Sequence, residues 1–137
     1  MPDEYKAPLP APTPDSAPFW EAARRHELRL PRCRDCGEAF FYPRNVCPGC
    51  LSSNLEWITA SGRGRLHTFV VVHRGLKYPP LATPYVLAMI ELEEGPRLMS
   101  NLVGVEPDPT RIRCDMPVVV EWADVTPEVS LPRFRPA

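Results

Sequence analysis

Four cysteines near the start of the chain have the spacing of a metal site. Cys33 and Cys36 form one Cys-x-x-Cys pair, Cys47 and Cys50 form a second, and ten residues separate the pairs. Each pair can place two thiolates on one ion from a single tight turn, and two such turns complete a tetrahedral shell with Zn–S distances near ~2.3 Å. The spacing therefore predicts a zinc ribbon.

A shell of four thiolates leaves no open position for substrate or water, so the predicted metal is structural, with one zinc ion per chain. Two disulfides or four reduced cysteines are the alternatives. Disulfides need an oxidising compartment, whereas residues 1–18 are proline-rich and contain no apolar run of the kind found in signal peptides. We therefore expect a cytoplasmic protein with a zinc site.

The remaining chemistry-bearing residues do not form a familiar catalytic motif. The sequence contains no Gly-x-Ser-x-Gly turn, no phosphate-binding loop and no His-Glu-x-x-His pair, so no catalytic residue is predicted. Of the three histidines, His26 is expected on the solvated side of a helix. Cys114 lies near Ile112 and Met116, and is predicted to be a buried or half-buried packing residue.

Composition limits the classes of function. The chain has 137 residues and a formal net charge of −1, so it lacks the basic field that drives binding to a phosphate backbone. It has no stretch of 18 or more apolar residues, so we expect no membrane span. Nucleic acid is therefore a weaker candidate partner than protein.

A helix is predicted after the proline-rich lead. Ser16 is a candidate cap, Pro18 suits a first turn, and good helix formers continue to Glu27, which gives about three turns. Phe19 and Trp20 have two interpretations: they pack onto the ribbon or barrel of this chain, or they dock into a partner protein. The sequence does not choose between them.

Five strands are predicted after the ribbon, because segments rich in β-branched and aromatic residues lie between turn signals. Together they favour a mainly β protein with an N-terminal helix, a rubredoxin-like zinc ribbon and a five-stranded Greek-key barrel of the OB type. A sandwich and an SH3-like barrel are alternatives. The predicted strands are 65–73, 85–92, 96–103, 116–123 and 128–134. The predicted division is a disordered lead (1–17), helix (18–30), ribbon (31–57) and barrel (58–137).

Several motifs between residue 18 and about residue 120 occur together in a specific order and spacing. They are Pro18-Phe19-Trp20, Leu30 to Cys33, the two cysteine pairs, Tyr42-Pro43-Arg44, Leu55-Glu56-Trp57, Gly62-Arg63-Gly64, Pro84-Tyr85-Val86 and Asp115-Met116-Pro117-Val118. In these motifs the chain resembles the prokaryotic zinc-ribbon plus OB-fold family known as domain of unknown function thirty-five. Leu51 and Asp115 depart from the resemblance, because the family often has glycine at both positions, which affects only local turn geometry.

The resemblance implies a partner role. Such proteins assemble with thiolase-fold enzymes of acyl-CoA metabolism, including steroid side-chain aldolases, or with hot-dog-fold hydratases, and the catalytic residues belong to the partner. We therefore expect an accessory subunit that helps to assemble or cover an acyl-CoA site. Its predicted partner contacts are Phe19, Trp20 and Tyr78, and its predicted CoA-binding cations are Arg63, Arg65, Arg74 and Lys77.

The alternative function is binding of single-stranded nucleic acid, since OB barrels also serve that purpose with aromatic platforms and a basic groove. Phe69, Tyr85 and Trp122 are the candidate stacking residues. Salt dependence separates the two functions, because nucleic-acid affinity falls steeply as salt rises.

Overall fold

The computed structural model describes residues 5, 7–75, 77 and 82–137. The chain forms one helix, a two-stranded sheet and a closed five-stranded barrel, as the sequence predicts. No helix in the described part of the chain is long and apolar enough to cross a membrane. The elements are α1 (Ala17–Arg24), β1 (Arg29–Cys33), β2 (Leu55–Thr59), β3 (Arg63–Val72), β4 (Tyr85–Leu92), β5 (Arg97–Leu102), a 3-10 helix (Pro109–Arg111), β6 (Pro117–Asp124) and β7 (Ser130–Pro136).

Helix α1 is shorter than predicted and begins differently. The Ser16 side chain makes no capping bond; its Oγ instead accepts from the backbone N–H of Thr13 at 2.9 Å. The helix ends at Arg24, because His26 adopts a φ of 60°, which an α-helix cannot continue through. The predicted third turn therefore does not form, and the chain changes direction toward β1.

The ribbon contains two short strands. Strands β1 and β2 pair antiparallel, with Leu30 opposite Ile58. Residues 39–42 meet β1 only at an isolated bridge between Arg32 and Ala39. The aromatic side chain of Phe41 instead packs 5.3 Å from the ring of Phe19. Residues 39–42 thus join the ribbon to α1 through the contact between Phe41 and Phe19.

The barrel has the strand order β3-β4-β5-β7-β6, closed by pairing between β6 and β3. Strand β5 meets β7 in parallel at a single pair, Leu102 and Phe134, while the other neighbours are antiparallel. Gly64 is required where β3 passes β4, because a Cβ there would lie 2.4 Å from the backbone oxygen of Glu91. This explains the glycine-rich start of the first barrel strand.

Two hydrophobic clusters have very different sizes. The larger cluster fills the barrel and includes the fully buried Phe134, Leu66 and Ile90, and α1 contributes Phe19 to it. The smaller cluster, in the ribbon, consists of Cys33, Phe40 and Cys47. The ribbon therefore buries little apolar surface of its own.

Cys114 is exposed, and the prediction that it is buried was wrong. It lies in the turn before β6, where Asp115 adopts a φ of 66° and donates its backbone N–H to the Leu66 carbonyl at 2.6 Å. The turn places Ile112 in the core and leaves Cys114 outside it. Apolar neighbours in sequence did not determine burial here, because the turn changes which side chains point inward.

Candidate metal centre and its neighbourhood

The four thiols predicted to meet do meet. The Sγ atoms of Cys33, Cys36, Cys47 and Cys50 all lie within 4.8 Å of one another. Cys33 and Cys50 are 3.6 Å apart, and Cys36 and Cys47 are 3.5 Å apart. A tetrahedral ion with Zn–S distances of ~2.3 Å would hold its sulfurs ~3.8 Å apart, so the cluster has the right size for such an ion.

Backbone N–H groups point at the sulfur atoms from inside each turn. The N–H of Cys36 donates to Cys33 Sγ at 3.4 Å, and the N–H of Gly49 donates to Cys47 Sγ at 3.4 Å. Such bonds favour the thiolate, which is the form that binds a metal. The backbone of the two turns thus favours the thiolate form of the cysteines, which can bind a cation.

The thiols also compete for ionisation. The backbone N–H of Cys36 lowers the pKa of Cys33 to about 7. The pKa of Cys36 is raised to about 12: the backbone N–H of Glu38 lowers it, but the neighbouring Cys47 thiol and burial outweigh that effect. Four thiolates at this spacing need a cation to offset their repulsion, and the donor set therefore fits a divalent ion.

Left-handed backbone conformations close the ribbon turns. Gly37 has a φ of 81°, and Leu51 has a φ of 62°. The N–H of Leu51 donates to the Cys47 carbonyl at 2.9 Å, which completes the second turn. Leu51 is also 76% exposed, so its side chain gains little burial in return for the unfavourable backbone conformation.

An aromatic cluster joins α1 to the ribbon. Phe19 and Trp20 pack edge to face with ring centroids 4.9 Å apart, and Trp20 Nε1 donates to Tyr42 Oη at 3.0 Å. Phe19 is only 1% exposed, which favours the packing interpretation and leaves it no surface for a partner. Trp20 is partly buried and Tyr42 is 41% exposed, so both remain accessible. Tyr78, the third predicted partner contact, lies outside the described residues.

The four predicted CoA-binding cations do not form one group. Arg63 and Arg65 lie on the outer side of β3 near its start, and both line a groove that Arg135 of β7 shares. Arg74 and Lys77 follow the opposite end of this ten-residue strand, where both are exposed. The structure thus separates them into two pairs, and their role in CoA binding stays a prediction.

The three candidate stacking residues do not share a platform. Phe69 packs against the barrel core, Tyr85 lies on β4, and Trp122 lies on β6 with its ring stacked on His26 at 5.7 Å. Sequence reasoning missed this last contact. His26 Nε2 also lies 2.7 Å from Asp124 Oδ1, so His26 is not simply solvated. The two residues are 98 positions apart, and no local pattern signals their contact.

Comparison with known proteins agrees with this geometry. The domain described as "ChsH2, rubredoxin-like zinc ribbon domain" matches residues 20–56, and "ChsH2, C-terminal OB-fold domain" matches residues 57–123. A solved structure described as "Ltp2-ChsH2(DUF35) aldolase" is 39% identical, with a TM-score of 0.82 over 93% of this chain and 98% of that one. The chain belongs to the ChsH2 (DUF35) family.

Curated relatives of this ChsH2 (DUF35) chain are named as parts of acyl-CoA enzymes. A "Probable enoyl-CoA hydratase alpha subunit" from Thermomonospora curvata is 41% identical over 130 residues, which are 95% of this chain and 40% of the relative. A "Benzoylsuccinyl-CoA thiolase subunit BbsA" from Thauera aromatica is 32% identical over 110 residues, 78% of this chain and 65% of that protein. The chain therefore spans about two fifths of the hydratase subunit.

Proposed function

We propose that this chain is a non-catalytic accessory subunit of an acyl-CoA enzyme. It binds a thiolase-fold partner, of the thiolase or steroid side-chain aldolase type, and helps to assemble or cover the acyl-CoA site of that partner. The observation that carries the proposal is the likeness to the chain in the aldolase structure, which this chain matches over 98% of that chain's length. The name of the BbsA relative supports a CoA thioester as the substrate class.

Within this role the metal is structural. Cys33, Cys36, Cys47 and Cys50 hold one zinc ion per chain, and all four positions of the tetrahedron are filled by sulfur. The zinc contributes to folding of the ribbon, which buries only a small cluster of its own. Trp20, beside the exposed Tyr42, is the proposed partner contact on this side of the molecule.

A hot-dog-fold hydratase is the alternative partner, and the hydratase relative supports it. With either partner, the catalytic residues belong to the partner subunit and not to this chain. Binding of single-stranded nucleic acid is not favoured by the geometry, because Phe69 faces the core and Trp122 is stacked on His26.

The test is purification of the tagged chain from its native cells, with identification of the bound proteins by mass spectrometry and measurement of zinc. We expect a thiolase-fold enzyme in stoichiometric amount and about one zinc per chain. A hydratase in its place would keep the accessory role and change the partner. Bound nucleic acid, or turnover of a thioester by the purified chain alone, would contradict the proposal.

A further inference from the structure

The outer surface of the barrel carries a group of apolar side chains on three adjacent strands. On β4, Val86, Ala88 and Ile90 are buried, so Leu87 and Met89 between them face outward. Val70 of β3 is the register partner of Leu87, and Met99 of β5 is the partner of Met89. We call these four residues, Val70, Leu87, Met89 and Met99, the β4–β5 face.

This face is exposed in the isolated chain. Val70 is 55% exposed and Met99 is 62% exposed, while Leu87 and Met89 are partly exposed. None of the four belongs to the barrel core or to the residues packed against it. Their apolar character is therefore not explained by the folding of this chain.

The opposite wall of the same barrel has a different surface. There β6 and β7 present the register partners Glu121 and Arg133, and Arg135 lies 3.8 Å from Glu121. Antiparallel sheets that face water alternate between apolar inward and polar outward residues, and these charged positions of β6 and β7 follow that rule. The β4–β5 face departs from this rule, because its outward residues are apolar.

We propose that the β4–β5 face is a docking surface for the thiolase-fold enzyme; this inference rests on the proposed function. OB barrels bind their ligands on the face of the second and third barrel strands, which are β4 and β5 in this chain. Nucleic acid needs cations and aromatic platforms there, and the four residues supply neither. Methionine side chains adapt to an apolar protein surface, and two of the four residues are methionines.

The relatives named as parts of an aldolase and a thiolase supply the partner class. A stable interface uses roughly 20–30 residues a side, so these four residues would form one apolar centre within a larger composite interface. Arg97 and Glu91, paired at 3.4 Å, stand beside the face on β5 and β4, as a charged rim stands beside an interface core.

The experiment uses the full chain and the thiolase-fold enzyme identified by co-purification, both purified, with affinity measured by calorimetry. We expect Met99→Glu and Val70→Glu each to weaken binding by at least ~10-fold, because each buries a charge in the interface. The thermal midpoint of the free chain should barely change, since both positions are more than half exposed. Leu51→Glu is the matched control, because Leu51 is an exposed leucine on the ribbon, and it should keep wild-type affinity.

The outcomes separate this inference from the proposed function. Wild-type binding that survives both substitutions overturns the docking surface and leaves the accessory role intact. If the wild-type chain binds no thiolase-fold enzyme, the docking surface for that enzyme is overturned; the accessory role then stands only where a hydratase co-purifies in its place, and otherwise both proposals are wrong. An equal loss in the Leu51→Glu control also overturns the inference, as does a wild-type homodimer that Met99→Glu dissociates without changing enzyme affinity.

Discussion

The ribbon and the barrel reach a stable fold by different means. The cluster that belongs to the ribbon alone has three buried hydrophobic residues, two of which are cysteines of the thiol cluster. The barrel has a large continuous core that includes Leu66, Ile90 and Phe134. Small modules that bury little apolar surface need a metal or cross-links, whereas a closed barrel can rely on burial. The comparison implies that loss of the metal should unfold the ribbon, whereas loss of buried apolar area should destabilise the barrel.

Helix α1 connects the two regions. It contacts β1 of the ribbon and β7 of the barrel, and its Phe19 lies in the barrel core while its Trp20 bonds to Tyr42 of the ribbon. The Ala60 N–H also donates to the Leu28 carbonyl at 2.7 Å, where the chain passes from ribbon to barrel. Loss of the ribbon should therefore loosen α1 without removing the barrel core.

The largest expected effect is on the ribbon alone. Cys47→Ser should remove stoichiometric zinc and unfold or aggregate the ribbon, since structural zinc supplies about 10–16 kcal/mol of apparent binding energy in small modules. Zinc analysis together with hydrogen exchange of ribbon and barrel amides measures this. Cys114→Ser is the control, because Cys114 is exposed and outside the cluster. Retained zinc and an unchanged melting curve would contradict the prediction.

The next substitution tests the barrel core without touching the metal ligands. Phe134→Ala should lower the free energy of unfolding by about 3–5 kcal/mol, because Phe134 is fully buried and its removal leaves a cavity. Zinc content should stay at the wild-type value. Urea unfolding followed by barrel and ribbon probes tests both statements. Zinc loss that accompanies barrel destabilisation would show that the two regions unfold as one unit.

Trp20 lies where the two regions meet, and Trp20→Ala tests its partner role. The substitution should weaken the complex with the thiolase-fold enzyme by about 2 kcal/mol or more, as for an aromatic interface anchor. Trp57→Ala is the control, since Trp57 is also partly buried against the barrel core. Binding and the unfolding of the free chain are measured for both variants. A loss of stability that matches the loss of affinity would favour a packing role for Trp20.

Each region has a turn residue other than glycine in the left-handed backbone region. Leu51 in the ribbon and Asp115 before β6 have φ values of 62° and 66°. Leu51→Gly and Asp115→Gly should each stabilise the chain by up to ~1 kcal/mol, because glycine adopts this conformation without strain. Thermal unfolding measures the change. Gly95→Ala, at a φ of 114°, should be destabilising in the same assay. Destabilisation by both glycine variants would contradict the strain argument.

The smallest effect concerns the contact of His26 with the barrel. The Ser130 hydroxyl and then His26 hold the pKa of Asp124 below its usual range. Because the folded-state pKa is lowered, the stabilisation is present above the unfolded value of 3.8 and is lost as pH falls through the folded pKa. Asp124→Asn should therefore be less stable than wild type at pH 6, and the difference should shrink below pH about 4. Urea midpoints across this range measure it, and a constant difference would refute it.

Sequence reasoning was most successful where a pattern is local. The cysteine spacing predicted the meeting of four thiols, which the Sγ distances confirm. Segments rich in β-branched and aromatic residues located the barrel strands. These features depend on a few neighbouring residues, since a turn or a strand is set mainly by local sterics and side-chain period.

Patterns failed where a side chain had two possible environments. The helix was expected to continue to Glu27 but ends at Arg24, and Cys114 was expected inside but lies outside. Phe19 was compatible with packing or with a partner, and its burial favours packing. For Cys114 and Phe19 a distant segment decides the outcome, since Asp115 bonds to Leu66 and Phe19 packs on Phe41, and sequence period carries no information about such contacts.

The amino-acid sequence by itself determined the metal-ligand spacing, the order of helix, ribbon and barrel, and the glycine-dependent turns. Only the tertiary structure decided that His26 meets Asp124 across 98 positions, and that Val70, Leu87, Met89 and Met99 form one exposed surface. The physical reason is strand register. The alternation of side chains along one strand shows which residues share a face of that strand. The pairing of strands decides which residues of neighbouring strands lie side by side and which face of the sheet is exposed to water.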